Sequence, residues 1–121
     1  MVKVTILETL KDEILKKFKE ESKIIFKQMH SLAENPYKGK SLGHVGGIVI
    51  KELKYKKFRF YFITDGYKLK IMDKEKLVDL LIRFVRMSDK KDQQKTINEI
   101  RKILLNFGLE GFKNKNGPAQ N

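Results

Sequence analysis

The chain has 121 residues, 27 of them Lys or Arg and 15 Asp or Glu, for a formal charge of +12. That length fits one domain, able to bury about two-thirds of the surface its unfolded chain exposes. The absence of Cys excludes a disulfide framework and a thiolate metal site, and no apolar run reaches the roughly 18 residues of a membrane span.

Val2 to Leu7 is rich in β-branched residues and predicts a first strand. It is too short, and too soon followed by charge, for a secretory signal, so the expected location is the cytoplasm. Thr9 stands as an N-cap with Asp12 at the capping-box position. Leu7, Leu10, Ile14 and Phe18 follow at helical spacing. A polar break at Lys19 to Ser22 separates this helix from a second stripe, Ile25, Met29, Leu32 and Ala33, which Asn35-Pro36 ends. The two helices are expected to form a hairpin.

Tyr37 to Gly47, with four Gly, reads as a loop. Ile48 to Lys54 predicts a strand and Lys56-Lys57 a turn. Phe58, Phe60 and Phe62 then alternate with Arg59, Tyr61 and Ile63, a period of two. Asp65-Gly66 is a hairpin signal, and Tyr67, Leu69 and Ile71 alternate with Lys68 and Lys70 after it. Asp73 to Lys76 reads as another turn. Leu77 to Arg86 is nearly continuously apolar and is expected to be the central strand. Polar residues from Ser88 to Gln94 lead into a last helix with the stripe Ile97, Ile100, Leu104 and Phe107, closed by Gly108. The order β-α-α-β-β-β-α predicts an α+β fold: an antiparallel twisted sheet of about four strands with helices on one face. The domain is expected over 1–108, with a loose tail over 109–121.

The charge, with a pI near 9.8, narrows the partner. Thermophile enrichment raises Lys and Glu together, whereas here only the basic side is raised. Such an excess costs self-repulsion in a compact domain, so a nucleic acid with releasable counterions is the leading partner. An acidic protein ranks second and an anionic membrane third. Gly39-Lys40-Ser41 lacks the earlier Gly of a nucleotide-binding loop. Neither clustered His nor paired carboxylates stand at metal-ligand spacing.

Several short pieces carry a family likeness in their order and spacing. They are Leu32-Ala33-Glu34-Asn35-Pro36 with Gly39-Lys40-Ser41-Leu42-Gly43; Glu52-Leu53-Lys54; Phe58-Arg59-Phe60-Tyr61-Phe62 with Asp65-Gly66; Phe84-Val85-Arg86 with Ser88; and Lys95-Thr96 with Ile100. Together, over most of residues 2–105, they resemble the RelE/ParE toxin superfamily, nearest its HigB-like, phage-derived branch. The resemblance implies a toxin of a type II toxin-antitoxin pair, acting as a ribosome-dependent mRNA endonuclease. It also implies an acidic, partly helical antitoxin as partner, and neither cofactor nor metal. Two departures stand out. The stretch from Gly66 to Leu80 is longer than the family's usual hairpin, and the segment after Arg86 lacks the Tyr or His that several members place there. The second departure favours the alternative, a non-catalytic binder on the same fold: a ParE-like gyrase inhibitor or a degenerate RNA-binding toxin. A plain RNA-binding module unrelated to toxins is a third reading.

Cleavage in that family proceeds by attack of a 2′-hydroxyl on the neighbouring phosphate. It needs a proton acceptor, cations for the developing phosphate charge, and a donor or cation at the leaving oxygen. Arg59 alternates with Phe58 and Phe60, so it points away from the Phe face. The matching family Arg contacts the scissile phosphate, a task suited to a planar, permanent charge. The competing reading is a surface Arg paired with a helix carboxylate. Lys54 and Glu52 share a parity opposite Leu53 and fall on Arg59's side. Lys54 can hold phosphate or act as base; Glu52 can act as base, but an internal ion pair with Lys54 or Arg59 is the better reading of it. Arg83 alternates away from Ile82 and Phe84. Arg86 matches the family's basic position but shares parity with Phe84, so it serves only if the strand ends or bulges there. Lys51, Lys56, Lys57, Lys90 and Lys91 are the expected surrounding RNA contacts, with Lys51 at the rim, and Tyr61 is placed to stack on a base. His44, in the Gly-rich loop, and His30, mid-helix, are read as solvated bystanders. The Phe stripe is read as core.

Overall fold

The computed structural model describes residues 2–77 and 79–112. β1 (Lys3–Ile6) leads directly into α1 (Glu8–Phe18), whose N-cap is Leu7 with no side-chain cap, so Thr9 lies inside the first turn. Leu10 and Ile14 bury the expected stripe. A 3-10 turn joins α1 to α2 (Ser22–His30), and the buried Ser22 hydroxyl donates to the Ile14 carbonyl at 3.1 Å, tying the helical hairpin together. β2 (Lys40–Val45), β3 (Ile48–Tyr55) and β4 (Phe58–Asp65) follow as an antiparallel meander. α3 (Gly66–Ile71) leads to β5 (Leu81–Asp89), and α4 (Gln93–Phe107) runs on into a 3-10 turn, Gly108–Phe112.

The described residues form a five-stranded mixed sheet, ordered β1-β5-β4-β3-β2. The α+β class matches the expectation, but the sheet has five strands instead of about four. Its central strand is β4 and not the Leu77–Arg86 segment, and β5 starts only at Leu81. Three further details differ. β1 pairs parallel to β5, because two helices carry the chain across the sheet before it returns. The segment read as a glycine-rich loop contributes edge strand β2, bulged between Ser41 and Gly43. Tyr67 to Ile71 is a short helix instead of a hairpin arm, because the Asp65 carboxylate accepts from the Lys68 backbone N–H at 3.0 Å and caps its first turn.

Helices cover both faces of the sheet, not one. Phe18 of α1 packs edge-on against Phe58, with ring centroids 5.0 Å apart, and tilted against Phe60. α4 lies on the opposite face. It buries Ile97, Ile100 and Leu104, and reaches the sheet through Gln93 to Glu52 and Glu99 to Arg86. The core is correspondingly double: Phe60, Phe62, Phe84, Tyr61 and Ile63 are all essentially inaccessible. Phe112 is fully buried too, so the expected tail takes part in the fold up to that residue; the rest of it, 113–121, lies outside the described residues.

Candidate nucleic-acid interface

The β3–β4 hairpin fixes the geometry of the candidate site. Lys54 pairs with Arg59, and Glu52 with Tyr61, so these four side chains share the face opposite Phe58 and Phe60. Glu52 and Arg59 are diagonal neighbours, within reach of long side chains. They form an ion pair, Arg59 Nε to Glu52 Oε2 at 3.5 Å, with side chains only 7% and 6% exposed. Gln93, in the first turn of α4, donates from Nε2 to Glu52 Oε1 at 2.9 Å. The carboxylate is therefore held from two sides, by the sheet and by the helix over it.

Arg59 is less well satisfied. Its Nη1 donates to the Phe58 carbonyl at a long 3.4 Å, and its buried Nε has no hydrogen-bond partner. A guanidinium presents five N–H donors in a rigid fork, and a buried charged group with donors unspent is costly unless something else takes them. Arg59 lines a cleft of about 500 Å³ together with Glu52, Lys38, Lys40, Lys54 and Lys90, although its Nε is itself buried. The four lysines are exposed. Five cations line the same cleft as one carboxylate, with Arg59 and Glu52 as the floor and the lysines as the walls.

The cleft gathers four of the predicted residues: Arg59, Lys54, Glu52 and Lys90. Lys38, Lys40 and Gln93 were not singled out by the sequence. The two lysines flank Gly39 and were visible only as part of a presumed loop; no sequence signal marks Gln93.

The remaining candidates stand elsewhere. Arg86 meets its stated condition: Tyr61 pairs with Arg86 but Phe62 with Phe84, so a bulge at Val85 turns Arg86 onto Arg59's face. It is nonetheless engaged there, by Glu99 at 2.6 Å, by the Val85 carbonyl at 2.8 Å and by the Phe112 ring at 5.4 Å. Arg83 shares the face and donates to the Phe112 carbonyl at 3.2 Å. Neither lines the cleft.

Lys51 is not a rim residue. It pairs with Phe62 on the other face, is 5% exposed, and donates to the Tyr37 carbonyl at 3.0 Å, with burial pulling its pKa down. Tyr61 cannot stack on a base, because it is fully buried with its hydroxyl 2.7 Å from that of Ser88; burial raises its pKa. Lys56 pairs with Glu21 at 2.6 Å across the hairpin tip. Lys57 beside it and Lys91 beyond β5 are exposed and outside the cleft lining, as are His30 and His44.

A larger and mainly apolar groove of about 640 Å³ lies among Ile63, Tyr67, Leu80, Leu81 and Leu109, with Arg83 at its side. Its lining sets two cations, Lys68 and Arg83, against three carboxylates, Asp65, Asp79 and Glu110, so the smaller basic cleft is the better candidate for a phosphate ligand. Among the described residues no group of three or more His, Cys, Asp or Glu is placed to hold a metal ion, and no helix is long and apolar enough to cross a membrane. Comparison of the chain with protein-family models, characterised proteins and solved structures finds no match.

Proposed function

We propose that this chain is a RelE/HigB-like toxin that cuts mRNA on the ribosome by 2′-hydroxyl attack on the adjacent phosphate, with the Arg59 cleft as its site. The observation that carries the reading is the buried Arg59 guanidinium, its Nε without a hydrogen-bond partner, at the floor of a cleft walled by four lysines. A phosphodiester placed there takes the spare donors, and Lys54 and Lys90 stabilise charge building on its oxygens. Glu52 is the acidic group within reach of the same phosphate, and on this reading it accepts the 2′-proton once the phosphate draws Arg59 away from it. As the 2′-oxygen bonds to phosphorus, the P–O5′ bond breaks, and the leaving 5′-oxygen is stabilised by a lysine of the wall and takes a proton from that ammonium or from water. The mechanism asks for no metal or cofactor. The cognate antitoxin, acidic and partly helical, inhibits by covering the cleft, and the same excess of positive charge attracts both RNA and inhibitor.

The second reading is a binder without cleavage on the same fold, acting on RNA or on gyrase. It is favoured by Glu52 being held by both Arg59 and Gln93, and by no His or Tyr lining the cleft. Product chemistry separates the two. Attack by the 2′-oxygen leaves a 2′,3′-cyclic phosphate and a 5′-hydroxyl, and an RNA with a single 2′-deoxy residue at the cut is resistant. Cleavage with those ends supports the endonuclease; intact RNA from folded protein bound to ribosomes supports the binder.

A further inference from the structure

We infer that Lys38 and Lys40 form a second phosphate-binding wall, held in place by Lys51 and Gly39, so that a bound polynucleotide is gripped at several consecutive phosphates and not at one. The inference rests on the RNA reading above and specifies how that site holds its ligand.

Charge counting comes first. Five cations line the cleft against the single carboxylate Glu52. One phosphodiester brings one negative charge, and even a phosphate monoester brings about two. Either leaves at least two lysines without a counter-charge, so the cleft suits a chain of phosphates. The layout agrees. Lys40 pairs with Glu52, and Lys54 pairs with Arg59 one pleat further along β3. Arg59 on β4 and Lys40 on β2 are thus two strand spacings, about 10 Å, apart across the sheet and a further two residues, about 7 Å, apart along it. The cations form a track across the strands, not a ring around one point.

The Lys38–Lys40 wall is also built, not incidental. From beneath, Lys51 Nζ donates to the Tyr37 carbonyl at 3.0 Å, although burying that ammonium is costly. From the side, the Tyr37 hydroxyl donates to the Met72 carbonyl at 3.0 Å. In between, Gly39 sits at φ +104, so close to β3 and β4 that an added Cβ would lie 2.8 Å from Phe62 Cζ and 3.0 Å from the Glu52 carbonyl. Only Gly permits both the dihedral and the approach. Three separate contacts therefore hold the segment that presents Lys38 and Lys40, and Lys51, buried on the far face, is a positioning residue.

The test measures binding of fluorescein-labelled, fully 2′-deoxy oligonucleotides of two to eight residues, against a mononucleotide and inorganic phosphate. Affinity should rise with length over the first few phosphates. Lys38→Ala/Lys40→Ala should weaken the eight-residue ligand tenfold or more and leave inorganic phosphate unchanged. It should also flatten the slope of log affinity against log salt by about 1.4, at roughly 0.7 per phosphate contact on a single strand. Lys51→Met should reproduce part of that loss, and should add nothing when Lys38 and Lys40 are already Ala, the non-additivity expected of a group acting through them. Lys11→Ala/Lys102→Ala controls for net charge. If Lys38→Ala/Lys40→Ala binds like the parent while Arg59→Ala does not, the second wall is wrong and the Arg59 site stands. If no variant differs, or nothing binds, the inference is wrong, while cleavage on the ribosome is decided separately by mapping cuts in a translating extract. A mononucleotide binding as tightly as the eight-residue ligand also overturns the inference.

Discussion

Glu52→Gln is the most informative single change, because it alters charge with almost no change of shape. The variant keeps an oxygen for the Gln93 donor but replaces the carboxylate oxygen 3.5 Å from Arg59 Nε. At that separation the attraction is about 5 kcal/mol with an effective dielectric of about 20. Both side chains are less than one-tenth exposed, so solvent screens little of it. Removing one member of a buried pair costs about 3–5 kcal/mol, since the other is left uncompensated. We take about 3 kcal/mol, because Arg59 borders an open cleft and water can reach part of it. An unfolding entropy of about 2.1 cal/mol/K per residue over 121 residues converts this to a fall in Tm of about 12 °C. Inorganic phosphate should then recover most of that loss in a saturable way, by about 2.7 kcal/mol at one hundred times its Kd, and should stabilise the variant more than the parent. The assay is scanning calorimetry across a phosphate series. Glu52→Gln/Arg59→Met controls for general salt effects and should lose less than the sum of its single changes. A Glu52→Gln protein melting within about 2 °C of the parent, or gaining no more from phosphate, would refute the reasoning.

Other consequences are simpler to check. Gly39→Ala forces a side chain into a positive-φ position and against Phe62; it should cost about 2–4 kcal/mol in urea unfolding, more than the conformational term of about 1–2 alone. Lys51 has its folded pKa below its ordinary 10.5 through burial. Between those two values the unfolded chain binds more protons than the folded one, so parental stability should rise with pH there relative to Lys51→Met. Unfolding series from pH 7 to 10.5 read the sign, and a difference that falls or stays flat contradicts it. Lys56→Ala removes a pair at the hairpin tip, outside the cleft, and should leave oligonucleotide affinity and its salt slope unchanged.

Much of the architecture was legible because burial writes periodicity into sequence. The stripe of α1, that of α4 as far as Leu104 and the alternation of β4 carry one solution each, whereas Phe107, expected in the α4 stripe, ends the helix and is exposed. The parity of Arg59, Lys54 and Glu52 follows from the strand alone. The conditional placement of Arg86 was also readable: a basic residue in phase with Phe84 reaches the other face only through a bulge, and the chain has one there. What escaped has physical causes. β2 is an edge strand with Lys40, Ser41 and His44 exposed and Gly43 at a register shift, so it shows no apolar alternation. α3 is six residues long, too short to display a helical period, and its Tyr67-Leu69-Ile71 alternation imitates a strand. The apolar character of Tyr61 and Ile63, on the same face as Arg59, was the sign that α4 would cover that side as well. Lys51 was misjudged because parity places a side chain on a face but does not say whether a loop closes over it. Gln93 reaches Glu52 from 41 positions away, a contact that only the docking of α4 creates.

Cleavage of mRNA on the ribosome by the Arg59 cleft can be read without an intermediary. The most direct measurement induces the chain in a translating extract and maps new mRNA 5′ ends by primer extension, with and without ribosomes. Arg59→Ala and the exposed Lys54→Ala run alongside, each checked for a parental circular-dichroism spectrum. The account predicts cuts that require ribosomes, vanish in Arg59→Ala and weaken in Lys54→Ala. Intact mRNA with the folded parent, or cuts that persist unchanged in both variants, would contradict it.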